Sequence, residues 1–156
     1  MLHASGATIA LVLGAYNLLR RTRGDRAHRW TGRVWVAAMY WTILSSFAIR
    51  EIRPGRFSWI HGLSIVTFVT LSIALWAAMT HRIEVHRRFM TGSYLGLLGA
   101  LAGAVAVPQR DIPQWFLHEP LGLATGAIIS FGLAGAVIRA ARPRAGQAPA
   151  EAGTQA

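Results

Sequence analysis

The chain has 156 residues, of which 53% are hydrophobic and only 14% are charged, whereas soluble domains of this size carry roughly 25% charged residues. The net charge of +10 suggests either nucleic acid or a membrane surface as a partner, and nucleic acid is not expected because the arginines stand between apolar runs. The lack of cysteine excludes disulfides, thiolate metal sites, iron–sulfur clusters and covalent c-type haem attachment.

Five apolar runs follow one another along the chain, over about residues 2–19, 34–49, 57–79, 89–108 and 115–138. A membrane span needs about 20 residues, so the first two runs need flanking residues to complete their spans. We therefore expect an all-α, polytopic transmembrane bundle of five helices over residues 1–142. The first four helices are predicted to form a compact bundle with the fifth at its edge, and residues 143–156 a disordered cytoplasmic tail.

The arginines predict the orientation of the helices. With the N-terminus outside, the inner segments contain twelve arginines and the outer loops contain four. Basic residues concentrate on the cytoplasmic side of membrane proteins. We therefore expect a multi-pass protein of the bacterial inner (plasma) membrane, with its N-terminus outside and its C-terminus cytoplasmic.

Small residues recur at four-residue spacing in the fourth and fifth runs. The pairs are Gly92 with Gly96, Gly99 with Gly103, and Gly122 with Gly126. This pattern allows close backbone approach and predicts tight packing between helices. The alternative is that these glycines make room for a flat cofactor.

The six histidines divide equally between the two predicted sides of the membrane, and four of them share a spacing. His3 and His28 are 25 residues apart, as are His61 and His86. One interpretation is a tandem two-helix repeat, and the other is that helix length alone fixes the spacing. A repeat would bring His3 toward His61 and His28 toward His86 about an axis along the membrane normal.

Paired histidines suggest a haem site, because two of them from neighbouring helices can ligate the iron from both faces. Nearby arginines can bind the propionates. The sequence therefore suggests a small b-type cytochrome-like protein that binds haem b and passes electrons across the membrane. The candidate cofactor-binding residues are His3, His61, His28, His86, Arg29, Arg33, Arg87 and Arg88; the four histidines are also the candidate metal ligands.

Two other classes of function stay open. One is a non-catalytic membrane scaffold or accessory subunit, whose histidines contact backbone or lipid headgroups. The other is a metal-binding or transport protein that uses His3, His61 and His118, since imidazole suits copper and zinc. No catalytic triad, phosphate loop or pair of intramembrane carboxylates is found, so the sequence does not indicate an enzyme. Expected partners are the lipid bilayer, a redox or membrane-complex protein and, as an alternative, a second copy of the chain.

Four motifs occur in order: His28-Arg-x-x-Gly32-Arg33-x-Trp35-Val36, Ser46-Phe47-x-Ile49-Arg50, Phe57-Ser58-x-Ile60-His61-x-Leu63-Ser64-x-x-Thr67, and His86-Arg87-Arg88-x-Met90-x-Gly92-x-Tyr94. Together they resemble a bacterial membrane-protein family known as domain of unknown function 2306. The resemblance covers about residues 3–108 and leaves out the fifth helix. It implies a multi-helix membrane protein with motif histidines at His3, His28, His61 and His86, and it brings no established activity.

Overall fold

The computed structural model of the chain describes residues 2–47, 59–106 and 117–142. These residues form five long helices and no strand: α1 (Leu2–Leu19), α2 (Arg26–Ser46), α3 (Trp59–Met79), α4 (Ile83–Ala106) and α5 (Pro120–Ala141). Among them α1, α3, α4 and α5 are long and apolar enough to cross a membrane. α2 has arginines in its first turns, but it packs along α1 as the other half of a hairpin. The predicted all-α, five-helix membrane bundle is therefore confirmed.

The first four helices form two antiparallel hairpins that lie side by side. α1 packs with α2, and α3 packs with α4. The hairpins meet where α2 contacts α3 and where α1 contacts α4, so α1 and α3 are diagonal neighbours, as are α2 and α4. α5 lies outside this group, against α1 and α2. This confirms the prediction of a four-helix bundle with the fifth helix at its edge.

Two helices begin earlier than their apolar runs. α2 begins at Arg26 instead of near residue 34, because Asp25 caps it and accepts a hydrogen bond from the backbone N–H of His28 at 2.9 Å. α4 begins at Ile83 instead of near residue 89, with Glu84 in its first turn, where a negative charge stabilises a helix. α5 begins later than predicted, with Pro120 in its first turn. The predicted limits at residues 49, 57, 108 and 115 and the tail over 143–156 lie outside the described residues.

α3 ends in a tight turn around His81. The backbone N–H of Arg82 bonds to the carbonyl of Ala77 at 2.8 Å, and that of His81 bonds to Ala78 at 3.4 Å. This is the Schellman arrangement, which places one residue in the left-handed region. Here that residue is His81, with a φ of 58°, in a position that usually favours glycine.

The bundle interior is filled by apolar side chains from all four of its helices. Leu13, Trp35, Met39, Leu71 and Leu97 are buried together. α5 adds Ala134, which is fully buried. The small side chain of Ala134 lets α5 pack closely on the α1–α2 hairpin.

The prediction of tight packing is wrong within this chain at four of the six paired glycines of α4 and α5. A Cβ added at Gly92, Gly96, Gly99 or Gly126 would meet nothing within 4 Å. Close approach occurs in α1 instead, where a Cβ at Gly6 would lie 2.6 Å from Trp41 Cδ1. A Cβ at Gly14 would lie 2.7 Å from Trp35 Nε1. Spacing between glycines indicates a smooth helix surface, but it does not say which surface another helix covers.

Candidate functional site

The four spaced histidines lie at the two ends of the bundle, on diagonal helices. We call the end where α2 and α4 begin the Arg-rich end, because most arginines of the chain cluster there: Arg20, Arg21, Arg23, Arg26, Arg29, Arg33, Arg82, Arg87 and Arg88. His28 on α2 and His86 on α4 lie at this end. His3 on α1 and His61 on α3 lie at the opposite end.

At the opposite end both histidines approach the last turn of α2. The Nδ1 of His3 is 2.9 Å from the Oγ of Ser45, within hydrogen-bond distance. His61 is buried, with 5% of its surface exposed, and its ring lies 5.6 Å from that of Phe47 between centroids. His3 and His61 therefore both lie against the end of α2, the helix that contacts both α1 and α3.

At the Arg-rich end the ring of His86 is held by α3. Its Nδ1 lies 3.0 Å from the backbone oxygen of Ala74 and can donate to it. That bond sets the ring orientation. When Nδ1 of the neutral ring donates it, Nε2 is the nitrogen that carries no proton. A bond of this kind links α4 to α3, and it is also the arrangement that metal-bound histidines commonly have.

His28 differs from the other three, because its Nδ1 is buried and has no hydrogen-bond partner within the described part of the chain. His28 lies in the first turn of α2, at the Arg-rich end and before the apolar run that begins near residue 34. Burial lowers the pKa of His28, and the charge of His86 lowers it further, whereas Asp25 opposes the shift. His86 lies at the same end of the bundle, on α4.

The turn that leads to His28 is fixed by a small polar network. Arg20 donates to the hydroxyl of Tyr16 at 2.7 Å and forms an ion pair with Asp25. The pKa of Asp25 is lowered, chiefly by the backbone N–H of His28 and also by Arg20. Gly24, with a φ of 79°, provides the left-handed residue that the turn requires.

The four candidate arginines lie around the Arg-rich end, and each of them has a different contact or exposure. Arg29 donates to the backbone oxygen of Gly24 at 2.7 Å. Arg87 pairs with Glu84 at 3.0 Å, Arg88 lines a groove between α1 and α4, and Arg33 is exposed. No contact between these arginines and the rings of His28 and His86 is found within the described residues.

Side-chain hydrogen bonds join each pair of neighbouring helices in the bundle. The Thr31 hydroxyl on α2 donates to the side-chain oxygen of Asn17 on α1 at 2.7 Å. Tyr40 and Ser72 join α2 to α3 at 2.9 Å, and Thr70 and Ser93 join α3 to α4 at 3.2 Å. The Tyr94 hydroxyl closes the ring by donating to the backbone oxygen of Leu11 on α1 at 3.3 Å. Sequence reasoning missed these pairs, because spacing along one helix does not reveal its register with the next.

The described residues contain no group of three or more histidine, aspartate or glutamate side chains placed to hold a metal ion. The trio of His3, His61 and His118 proposed for copper or zinc is therefore not assembled. Neither histidine pair frames a haem in the part of the chain that the structure describes. His3, His61 and His86 instead contact residues of neighbouring helices.

Comparison with known proteins gives one match. A family model described as a predicted membrane protein covers residues 1–138. The match is wider than the motifs indicated, since it takes in most of α5. No curated protein and no solved structure matches the chain.

Proposed function

Because the chain belongs to the DUF2306 family of predicted membrane proteins, we propose that it acts within the membrane as a non-catalytic scaffold or accessory subunit, with histidines that join its helices. The observation that carries this proposal is the contact made by His86. Its Nδ1 meets the backbone of Ala74 on the neighbouring helix. A side chain used in this way stabilises the bundle without any bound group.

The other histidines support the same interpretation. His3 contacts Ser45 and so links α1 to α2. His61 packs against Phe47 at the end of α2 and so fills the contact between α2 and α3. Polar contacts between membrane helices contribute about 0.6 kcal/mol each on average. Several such contacts help to fix the helix register of a small membrane protein.

The proposal is tested on the full chain purified in mild detergent. We expect no Soret band and no stoichiometric metal, and we expect His3→Gln and His86→Gln to lower the melting temperature. The matched control is His118→Gln, at an exposed residue before α5, which should leave the melting temperature unchanged. In native gels of solubilised membranes, the chain of 17.0 kDa should migrate within a larger assembly. Migration as a monomer in mild detergent would remove the case for an accessory subunit.

A second candidate function is favoured by one observation, the buried Nδ1 of His28, which has no hydrogen-bond partner within the described residues. His86 lies at the same end of the bundle. In this alternative the two histidines bind one haem b at the Arg-rich end, with Arg29 and Arg33 available for its propionates. The haem would supply one-electron chemistry, and the protein would hold its axial ligands. Diagonal helices suit this role, because a planar group can lie between them.

The haem alternative has a direct spectroscopic test. A Soret band, with split α and β bands on reduction, should be present in the wild type and in His118→Gln. It should be absent in both His28→Gln and His86→Gln. A stoichiometry of one haem per chain would restrict the site to the Arg-rich end. A stoichiometry of two would indicate a second site at His3 and His61 and would support electron transfer across the membrane. A colourless wild-type protein would remove this alternative.

The same proposal includes the placement of the chain in the cell. The Arg-rich end is proposed to face the cytoplasm of a bacterium, so that the N-terminus lies outside the inner membrane. The support is the twelve-to-four division of the arginines. The apolar surfaces of α1, α3, α4 and α5 are in contact with the lipid bilayer.

A further inference from the structure

A groove opens between the end of α1 and the beginning of α4 at the Arg-rich end, with a volume of about 430 Å³. It lies on a different face of the bundle from the α3 contact of His86, since Leu18 and Arg23 supply its other wall. Both helices are membrane-spanning segments, and the groove lies where they end. It is therefore at the level of the membrane surface.

The groove carries an excess of positive charge. It is lined by three arginines and one glutamate: Arg23, Arg87, Arg88 and Glu84. Arg87 is occupied by its ion pair with Glu84 at 3.0 Å. Arg88 has no acidic partner within the described residues, and Arg23 donates only to the backbone oxygen of Leu18 at 3.1 Å. Two guanidinium groups are thus available for an anion.

The groove changes from polar to apolar along α4. Arg88 lies in the first turns of the helix, and Gly92 and Leu95 follow one and two turns deeper. A side chain at Gly92 would meet nothing within 4 Å, so this glycine keeps the wall open. Leu18 provides the apolar surface on α1.

We propose that this groove binds an anionic phospholipid. Arg23 and Arg88 bind its phosphate through charge-assisted hydrogen bonds, and an acyl chain runs over Leu18, Gly92 and Leu95. The charge selects an anionic headgroup over a zwitterionic one, and the apolar continuation selects a lipid over a free phosphate. Basic pockets between helices at the membrane surface suit such headgroups.

The test is lipid retention by the full chain in native mass spectrometry, with phosphatidylglycerol as the probe. Arg23→Gln/Arg88→Gln should bind it about 30-fold more weakly, since each basic residue at an anionic surface contributes about 1 kcal/mol and 1.4 kcal/mol is tenfold. The matched control is Arg21→Gln/Arg26→Gln, two exposed arginines of the same end that lie outside the groove. This control should bind like the wild type.

A second pair of variants leaves every charge unchanged, in case the loss of Arg23 disturbs the turn. Gly92→Leu fills the groove and should also weaken phosphatidylglycerol binding, whereas Gly99→Leu, on the same helix outside the groove, should not. Equal loss in both arginine variants would show a general surface charge effect and overturn the proposal. So would equal binding of phosphatidylcholine, full retention by Gly92→Leu, or displacement of the lipid by inorganic phosphate alone.

Discussion

The indole Nε1 of Trp35 donates a hydrogen bond of 2.8 Å to the backbone oxygen of Ala10, in the middle of α1. From the other side, the hydroxyl of Tyr94 donates to the backbone oxygen of Leu11. Both aromatic rings reach the α1 backbone because Gly14 has no side chain. α1 is therefore held at its centre by α2 and α4 together.

This relationship predicts that Gly14→Ala destabilises the bundle. The new Cβ would lie 2.7 Å from Trp35 Nε1, and overpacking of this kind costs typically 1–3 kcal/mol. Gly126→Ala is the matched control, because its Cβ would meet nothing within 4 Å. Unfolding in mixed detergent measures both. If the two variants unfold at the same denaturant level, the close packing at Gly14 does not contribute to stability.

The contact between Thr31 and Asn17 predicts a loss of stability for Thr31→Val. Thr31 is fully buried and its hydroxyl bonds Asn17 at 2.7 Å, so its removal leaves the amide oxygen of half-buried Asn17 without this donor. We expect a loss of about 1 kcal/mol, within the range measured for such bonds in membranes. Thr125→Val on α5 removes only bonds within one helix and should change stability less. The same loss in both variants would contradict a specific role for the α1–α2 contact.

The left-handed conformation of His81 predicts that His81→Gly stabilises the protein. A residue with a Cβ pays roughly 1–2 kcal/mol in this region, and glycine does not. Thermal unfolding should rank the variants with glycine highest, then asparagine, then the wild type, and valine lowest. A lower melting temperature for His81→Gly would show that the histidine side chain has a stabilising role that outweighs its backbone strain.

The capping role of Asp25 predicts both a mutational and a pH effect. Asp25→Ala should cost about 1 kcal/mol, whereas Asp25→Asn should retain most of the cap. The folded-state pKa of Asp25 lies below 3.8, so the extra stability of its ionised form is present above that value and is lost as the pH falls through the folded pKa. The stability difference between the wild type and Asp25→Asn should therefore shrink in acid. A difference that stays constant down to pH 2 would contradict this mechanism.

The proposed orientation predicts the behaviour of a reporter fused after Ala156. A reporter that is active only in the cytoplasm should give a signal, since the twelve-to-four division of the arginines assigns the C-terminus to the cytoplasmic side. Replacing the arginines of the α1–α2 turn by glutamine should reduce that signal, because the charge difference between the two sides becomes smaller. A fusion that is active only in the periplasm would reverse the assigned sides.

The sequence predicts the features of the fold that follow from the apolar runs and from the order of the helices along the chain. The limits of α1 agree with its apolar run because the helix contains no arginine, lysine or acidic residue and Arg20 follows it directly. α2 and α4 extend beyond their apolar runs because arginine favours the helix as well as leucine does, so polar turns continue them beyond the lipid. The Asp25 cap is a signal in the sequence from which the beginning of α2 follows.

The candidate site is less predictable for a physical reason. Loop topology alone brings His28 and His86 to the same end of the bundle, on diagonal helices. Whether an imidazole meets Ser45, Ala74 or a cofactor depends on the rotation and register of packed helices, which vary by a few ångströms. The periodicity of a single helix does not determine which of these partners the imidazole contacts. For this reason glycine spacing also indicated the wrong surfaces.

The two-hairpin arrangement of the bundle has a consequence for biosynthesis. Most of the contacts of α1 are with α2, the next helix to leave the ribosome. The first hairpin can therefore assemble in the membrane while α3 and α4 are still being translated. The second hairpin then folds in the same way and docks against a completed partner. This arrangement favours insertion of the chain two helices at a time, with the joining of the hairpins and the addition of α5 as later steps.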